Sequence, residues 1–155
     1  MIRTEVYQGD RTRLLPLFAL ADDSLTQISG YLARGLVIIA RDNDDIVGHV
    51  QVVDTDDARV FEIKSLSVRA TRRGEGIGVI LVDAAIAYCD EHDALSVIVS
   101  TATADIGNLR FYQRRGFRMD HVVRDAFGPT TGYPEDAMVD GIPLRDQLFL
   151  KRDLR

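Results

Sequence analysis

Between Arg73 and Gly78 the sequence Arg-Gly-Glu-Gly-Ile-Gly sets three glycines at alternate positions, directly after Arg69 and Arg72. A strand-like run ends at Val68 before it and a helical run opens at Ile77 within it, so bare backbone N–H groups can turn toward a ligand there with no Cβ in the way. A helix N-terminus carries about half a positive charge, and Arg72 and Arg73 can reach an anion through charge-assisted hydrogen bonds. The arrangement suits a pyrophosphate. A Walker-type loop would need Gly-Lys followed by Ser or Thr, whereas Gly78 is followed by Val79 and Ile80. A dinucleotide fingerprint needs its third glycine three residues after the second, where this chain has Val79. ATP and NAD are therefore poor fits.

The run before the loop, ARVFEIKSLSVR, holds a second signal. Phe61 and Ile63 occupy odd positions and Leu66 and Val68 even ones, so the apolar phase slips by one residue across Lys64 and Ser65. One inserted residue is what a β-bulge adds, and it leaves backbone groups unpaired that an extended, amide-bearing ligand can satisfy. A strand buried on both faces would give the same pattern without a bulge. Glu62 is an acid inside this apolar stretch, with Lys64 two residues on as a same-face partner. His49 and His121 stand alone in strand-like segments as fallback bases, a position where most histidines are structural. His92 ends a helix, where a cation suits the dipole. Cys89 shares a helix with Leu81, Ala84, Ala85 and Tyr88, so packing explains it; as the only cysteine it forms neither an internal disulfide nor a thiolate zinc site.

The elements that must position these residues follow from pattern and punctuation. Ile2 to Tyr7 reads as an edge strand, and Asp10 can cap a helix through Leu14, Leu15, Leu17 and Phe18 that Pro16 interrupts or starts. Asp22 to Leu32 reads as a second helix opened by acidic residues. Leu36 to Arg41 and Ile46 to Asp54 flank an Asp-Asn-Asp-Asp turn as a hairpin, and the bulged run continues the meander. A helix from Ile77 to His92, a buried strand LSVIVST, a helix near Ile106 to Arg115 stopped by Gly116, and a strand Phe117 to Arg124 follow. A polar loop carrying Pro129, Pro134 and Pro143 leads to a last strand near Leu144 to Lys151. The order β-α-α-β-β-β-α-β-α-β-β describes an α/β protein with a mixed sheet (α+β). The helix after the glycine loop returns the chain to a strand parallel to the bulged one, and the gap where parallel pairing begins is a natural ligand site.

Val68 followed by Arg73-Gly74-Glu75-Gly76-Ile77-Gly78 resembles the R/Q-x-x-G-x-G/A signature of the GCN5-related N-acetyltransferase (GNAT) family. Tyr112-Gln113-Arg114-Arg115-Gly116-Phe117 resembles that family's later Y-x-x-x-G-F element. The two stand in the right order and span Glu62 to Arg118. The resemblance implies a GNAT-like acyl-CoA N-acyltransferase fold and acetyl-CoA as co-substrate, with no metal. Arg73, Gly74, Glu75, Gly76, Ile77 and Gly78 would hold the CoA pyrophosphate, and the pantetheine arm would pair along Leu66, Ser67 and Val68. Ala70 stands where members often carry proline, and Asp105 where they often carry asparagine. The asparagine here is Asn108, so Asn108, Asp105 or Thr103 would meet the CoA arm. Tyr112 would protonate the departing thiolate, its phenol having an ordinary pKa near 10 against a thiol near 8.5. The other reading of Tyr112 is an aromatic of the helix face bonded to backbone, with Phe111 beside it in the core. Glu62 would deprotonate the incoming ammonium, and a backbone N–H near Leu66 would polarise the carbonyl.

Composition bounds the partners. The 155 residues suit one N-acetyltransferase domain over 1–155, with 46% hydrophobic and 28% charged residues. No apolar run approaches the roughly 18 residues of a membrane span, and the polar start MIRTEVYQGD lacks a signal-peptide core, so a cytoplasmic address is expected. A net charge of −5 argues against nucleic acid. Asp22, Asp23, Asp125, Glu135, Asp136 and Asp140 make the expected acceptor side acidic, which suits a small cationic amine, unless these are solvated loop charges. The competing reading is a non-catalytic acyl-CoA-binding or interaction module, which would need neither Tyr112 nor Glu62. Exposed meander edges and the final strand suggest a homodimer.

Overall fold

The computed structural model describes Met1–Arg155. Its strands are β1 (Ile2–Val6), β2 (Leu36–Asp42), β3 (Asp45–Asp54), β4 (Val60–Val68), β5 (Ser96–Ala102), β6 (Arg118–Val123), β7 (Met138–Val139), β8 (Ile142–Pro143) and β9 (Gln147–Asp153). The helices are α1 (Leu15–Ala21), α2 (Leu25–Tyr31), α3 (Ile77–Glu91) and α4 (Ile106–Arg114). Seven strands form one sheet in the order β1-β2-β3-β4-β5-β9-β6, while β7 and β8 pair with each other. All neighbours in the large sheet are antiparallel except β4 and β5.

Two irregularities of β4 open the sheet. Gln51 of β3 faces Ser65 while Val52 faces Ile63, so Lys64 is the extra residue of a bulge, where the apolar phase slips. The parallel ladder with β5 runs only from Val60↔Ser96 to Ile63↔Val99 and stops at that bulge. A bulge bends its strand away from the ladder, and from Lys64 to Val68 β4 therefore keeps β3 on one side and has no strand on the other.

Each face of the sheet is covered by helices with their own apolar cluster. On one face Ile77, Leu81, Val82, Ala85 and Cys89 of α3 pack on Val50, Val52, Ile63, Val97, Val99 and Leu150. On the other, Leu17 and Phe18 of α1 and Ile28 and Tyr31 of α2 pack on Val37 and Ile39. Burying side chains of this size contributes about 1.5–3 kcal/mol each, enough to fix both layers against the sheet.

Three expectations change. The second helix starts at Leu25 rather than Asp22, because the Ser24 hydroxyl accepts from the Gln27 N–H (3.2 Å) and Asp22 accepts from the Ser24 N–H (3.0 Å), closing a turn before it. The Pro-containing loop is not simply polar: it holds a 3-10 turn at Pro129–Thr131, the β7–β8 hairpin, and Tyr133, only 8% exposed. The final strand lies inside the sheet, between β5 and β9's other neighbour β6, so the free edges are β1 and β6.

Candidate active site

A cleft of about 1140 Å³ opens where β4 leaves β5. That lies just above the roughly 300–1,000 Å³ of a site for one drug-sized ligand. Its floor is the glycine loop. Gly74 and Gly76 both adopt φ +81, a conformation a side chain would strain, and Gly76 is the N-cap of α3 with no side chain satisfying the first-turn N–H groups. Those N–H groups are open to an anion. Arg73 lies on the cleft and makes no side-chain hydrogen bond or ion pair with the protein. Arg72 is engaged instead: it donates to both carboxylate oxygens of Glu75 (2.9 and 3.0 Å) and to Asp42 (2.8 Å). This holds the Glu75 and Asp42 carboxyls below the usual carboxylate range. The bridge fastens the loop to the end of β2, so Arg72 serves the loop's shape, and the Glu75 side chain stands outside the cleft lining.

Opposite the loop, α4 brings Asn108, Phe111 and Tyr112 to the cleft. The Tyr112 ring is buried edge-to-face between Phe111 (5.2 Å) and Phe117 (5.7 Å). Its hydroxyl is bonded to no protein group, and burial, with the Asp105 charge, raises the phenol's pKa, so it keeps its proton. The Asn108 amide donates to Thr101 Oγ1 (3.2 Å), leaving its carbonyl oxygen free. Asp105 caps α4 by accepting from the Asn108 N–H (3.0 Å). Thr103 is outside the lining, its N–H donating to the Asp146 carbonyl.

The β4 wall is braced from behind by a buried histidine. Ser67 Oγ donates to the Leu17 carbonyl (2.7 Å), so it can only accept from His49 Nδ1–H (3.1 Å); Nε2 is then left to accept from the Ser65 hydroxyl (2.8 Å). The His49 ring is fully buried with Phe18 4.3 Å away, and burial lowers its pKa to about 3. A neutral imidazole whose acceptor nitrogen is occupied does not serve as a base. His121 is exposed, paired with Asp120 and stacked on Phe149; His92 ends α3, bonded to the Tyr88 carbonyl. Burial pushes the Cys89 thiol up to about 12, so it is inert. No group of three or more His, Cys, Asp or Glu side chains converges as a metal site. Glu62 is half-buried one residue before the cleft lining begins at Ile63, and burial raises its carboxyl while Lys64 and Arg34 draw it back.

At the far end, Asp22 accepts from the hydroxyls of Tyr31 (2.9 Å) and Tyr133 (2.6 Å). Gln27 adds a bond to the Thr131 carbonyl (3.2 Å), so the 124–146 segment is docked onto α2 as a roof. Phe127 packs edge-to-face on Tyr133 (5.0 Å) beneath it.

The model of the Acetyltransferase (GNAT) family matches residues 6–117. This chain belongs to the GNAT family. The uncharacterized N-acetyltransferase YvbK of Bacillus subtilis (strain 168) is 31% identical over 153 residues, covering 99% of this chain and 97% of the relative. A GNAT acetyltransferase from Elizabethkingia anophelis, solved with acetyl-CoA bound, superposes with a TM-score of 0.90 at 27% identity over 99% of this chain and 98% of its own. A Bacillus subtilis acetyltransferase in complex with CoA does so at 0.90 and 30% identity over the whole of both chains. The mixed-sheet GNAT fold and the acetyltransferase class are thus established.

Of the residues singled out in the sequence, this GNAT cleft brings together Leu66, Ser67, Val68, Arg73, Gly74, Gly76, Ile77, Gly78, Asn108 and Tyr112. Glu75 and Glu62 stand beside its lining. Phe111, expected in the core, packs against the main core cluster and also lines the cleft, and a Cβ on Gly78 would come 3.4 Å from its ring. The third glycine is the local trace of that packing. The Asp22–Tyr31–Tyr133 clamp had no sequence signal.

Proposed function

We propose that residues 1–155 act as one N-acetyltransferase domain that moves the acetyl group of acetyl-CoA to the primary amine of a small molecule by direct attack in a ternary complex. The observation that carries this reading is a single cleft with two ends: an anion cradle and an unpaired β4 segment at one, a closed aromatic roof at the other. The CoA-bound relatives support the co-substrate. The pyrophosphate meets the α3 first-turn N–H groups and Arg73. The pantetheine arm lies along Leu66–Val68, with Asn108's free carbonyl oxygen on its other side. The amine nitrogen attacks the thioester carbon as a backbone N–H near Leu66 stabilises the developing oxyanion. The C–N bond forms and the C–S bond breaks: Glu62 first takes one proton from the ammonium, directly or through water, Tyr112 gives its proton to sulfur, and the second proton that the nitrogen sheds as it becomes an amide passes to the Tyr112 phenolate. The raised Glu62 carboxyl is the better base for it, and the dry site that raises the Tyr112 phenol also raises the basicity of the leaving thiolate.

Asp23 on the cleft and the net charge of −5 favour a ligand that carries an ammonium, whereas the Asp22 carboxylate is occupied by Tyr31 and Tyr133. Asp125, Glu135, Asp136 and Asp140 are exposed and off the cleft, so they act at most as a long-range field.

Thermal unfolding with acetyl-CoA, CoA, ATP or NAD tests the reading. A ligand at about 100 times its Kd adds roughly 2.7 kcal/mol, several degrees for this chain. Stabilisation by both CoA species is expected, followed by amine-dependent CoA release that Glu62→Gln suppresses. Stabilisation by ATP or NAD without CoA would overturn it.

A further inference from the structure

Acetyl transfer leaves one charge on the acceptor side of the cleft without a role. Lys64, the residue added by the bulge, lines the cleft half-buried, its ammonium 5.1 Å from the centre of the Tyr31 ring. It makes no hydrogen bond or ion pair with the protein, its only charged influence being the longer-range pull on the Glu62 carboxyl described above. The Tyr31 face offsets part of the desolvation of such a cation but does not replace an anion. The cleft's other unpaired cation, Arg73, sits at the glycine loop, where pyrophosphate is its partner. A lysine at the acceptor end repels a simple cationic amine, so it selects against that class unless the acceptor also carries an anion.

The remaining groups at that end describe the rest of the ligand. Tyr31, Phe127, Tyr133, Val139 and Leu144 give an apolar wall, and Asp23 is an exposed carboxylate on the rim with no partner. An unpaired cation, an unpaired anion on the rim and an aromatic surface at one end of the cleft match a molecule with an amine, a carboxylate and an apolar body. We propose that the acceptor is a zwitterionic α-amino acid with an apolar side chain, its carboxylate held by Lys64 and its side chain set against Tyr31, Phe127 and Tyr133. This rests on the acetyltransferase reading above and narrows its acceptor. It also assigns the bulge a second purpose: the inserted residue that frees β4 for the CoA arm is the one that presents the cation to the acceptor.

The test measures CoA release from acetyl-CoA by the full chain with matched pairs, L-phenylalanine against phenethylamine and L-leucine against isoamylamine. A charge-assisted contact in a half-buried site predicts kcat/KM about 10- to 100-fold higher for the amino acid of each pair, carried mostly by KM. Lys64→Gln is expected to bring that ratio toward one and Lys64→Arg to keep most of it, with melting curves confirming that both variants fold. Equal or better turnover of the decarboxylated amines by the wild type overturns the proposal. So does a Lys64→Gln variant that slows both members of a pair alike, the outcome if Lys64 serves only to adjust Glu62. Turnover of no member overturns it as well, while acetyl-CoA stabilisation in the same preparation would show that the donor half of the reading stands.

Discussion

His49 makes the stability of this fold depend on pH by an amount that can be worked out. Its ring is fully buried and burial lowers its pKa to about 3, against about 6.5 in an unfolded chain. Between those values the unfolded state binds the proton and the folded state does not. Stability therefore stands at its full value above the unfolded pKa and is lost as pH falls toward 3. At pH 5 the unfolded histidine is almost wholly protonated and the folded one neutral, a loss of about 2 kcal/mol relative to pH 8, or about 4–8 °C in Tm at this chain length. His49→Gln removes the titration while leaving an amide that can bond to Ser65 and Ser67. The assay is urea unfolding of both proteins at pH 5, 6, 7 and 8. Taking the difference between them cancels other groups, including Glu62, whose raised pKa works with the opposite sign: its stabilisation is present at low pH and lost as pH rises through the folded value. Wild-type stability should fall from pH 8 to pH 5 by about 2 kcal/mol more than that of the variant. Parallel curves would refute the argument that the braced imidazole is neutral in the folded state.

Three other substitutions separate the parts of the cleft. Tyr112→Phe keeps the packing against Phe111 and Phe117 and removes the unbonded hydroxyl; kcat should fall about 100-fold or more, with the CoA Kd from calorimetry unchanged. Gly76→Ala forces a side chain into φ +81 at the N-cap of α3. It should lower stability by about 1–2 kcal/mol and weaken CoA binding more than amine binding, read by thermal melts and isothermal titration. Asp22→Ala strips the acceptor from two buried tyrosine hydroxyls. The expected cost is about 2–4 kcal/mol, with the amine KM rising further than the acetyl-CoA KM because the roof is released.

What was legible in the sequence tracks how local the governing physics is. The bulge could be read because a strand's side-chain period is two, so one inserted residue inverts every later position, and the pairing puts that residue at Lys64. The glycine loop could be read because its φ values admit few other residues. The start of the second helix is ambiguous in the sequence because three cap-forming residues, Asp22, Asp23 and Ser24, stand in a row. Either Asp22 or Ser24 can close a first turn, and the choice is settled by Asp22 being drawn to Tyr31 and Tyr133. Sheet order was beyond the pattern for the same reason: nothing in Gln147–Asp153 says that it enters between β5 and β6 rather than extending an edge.

The site divides along the same line, and the division explains why its two halves differ in how far they could be anticipated. The donor half is made largely of backbone, whose geometry is written in glycine spacing and strand phase within some fifteen residues. The acceptor half is made of side chains that meet across the whole chain: Tyr133 reaches Asp22 over 111 positions and Gln27 reaches Thr131 over 104. Asp22 illustrates the consequence. By composition it counts as one more acid that steers a cationic amine; in the fold its two oxygens accept from two tyrosines and a backbone N–H, so its charge holds the roof. With that carboxylate committed and Asp125, Glu135, Asp136 and Asp140 off the cleft, the acceptor end is less acidic than its sequence suggests, and the ammonium of Lys64 becomes a leading electrostatic feature there. Which amine is chosen thus depends on charges left unpaired after folding, a quantity that no count of residue types contains.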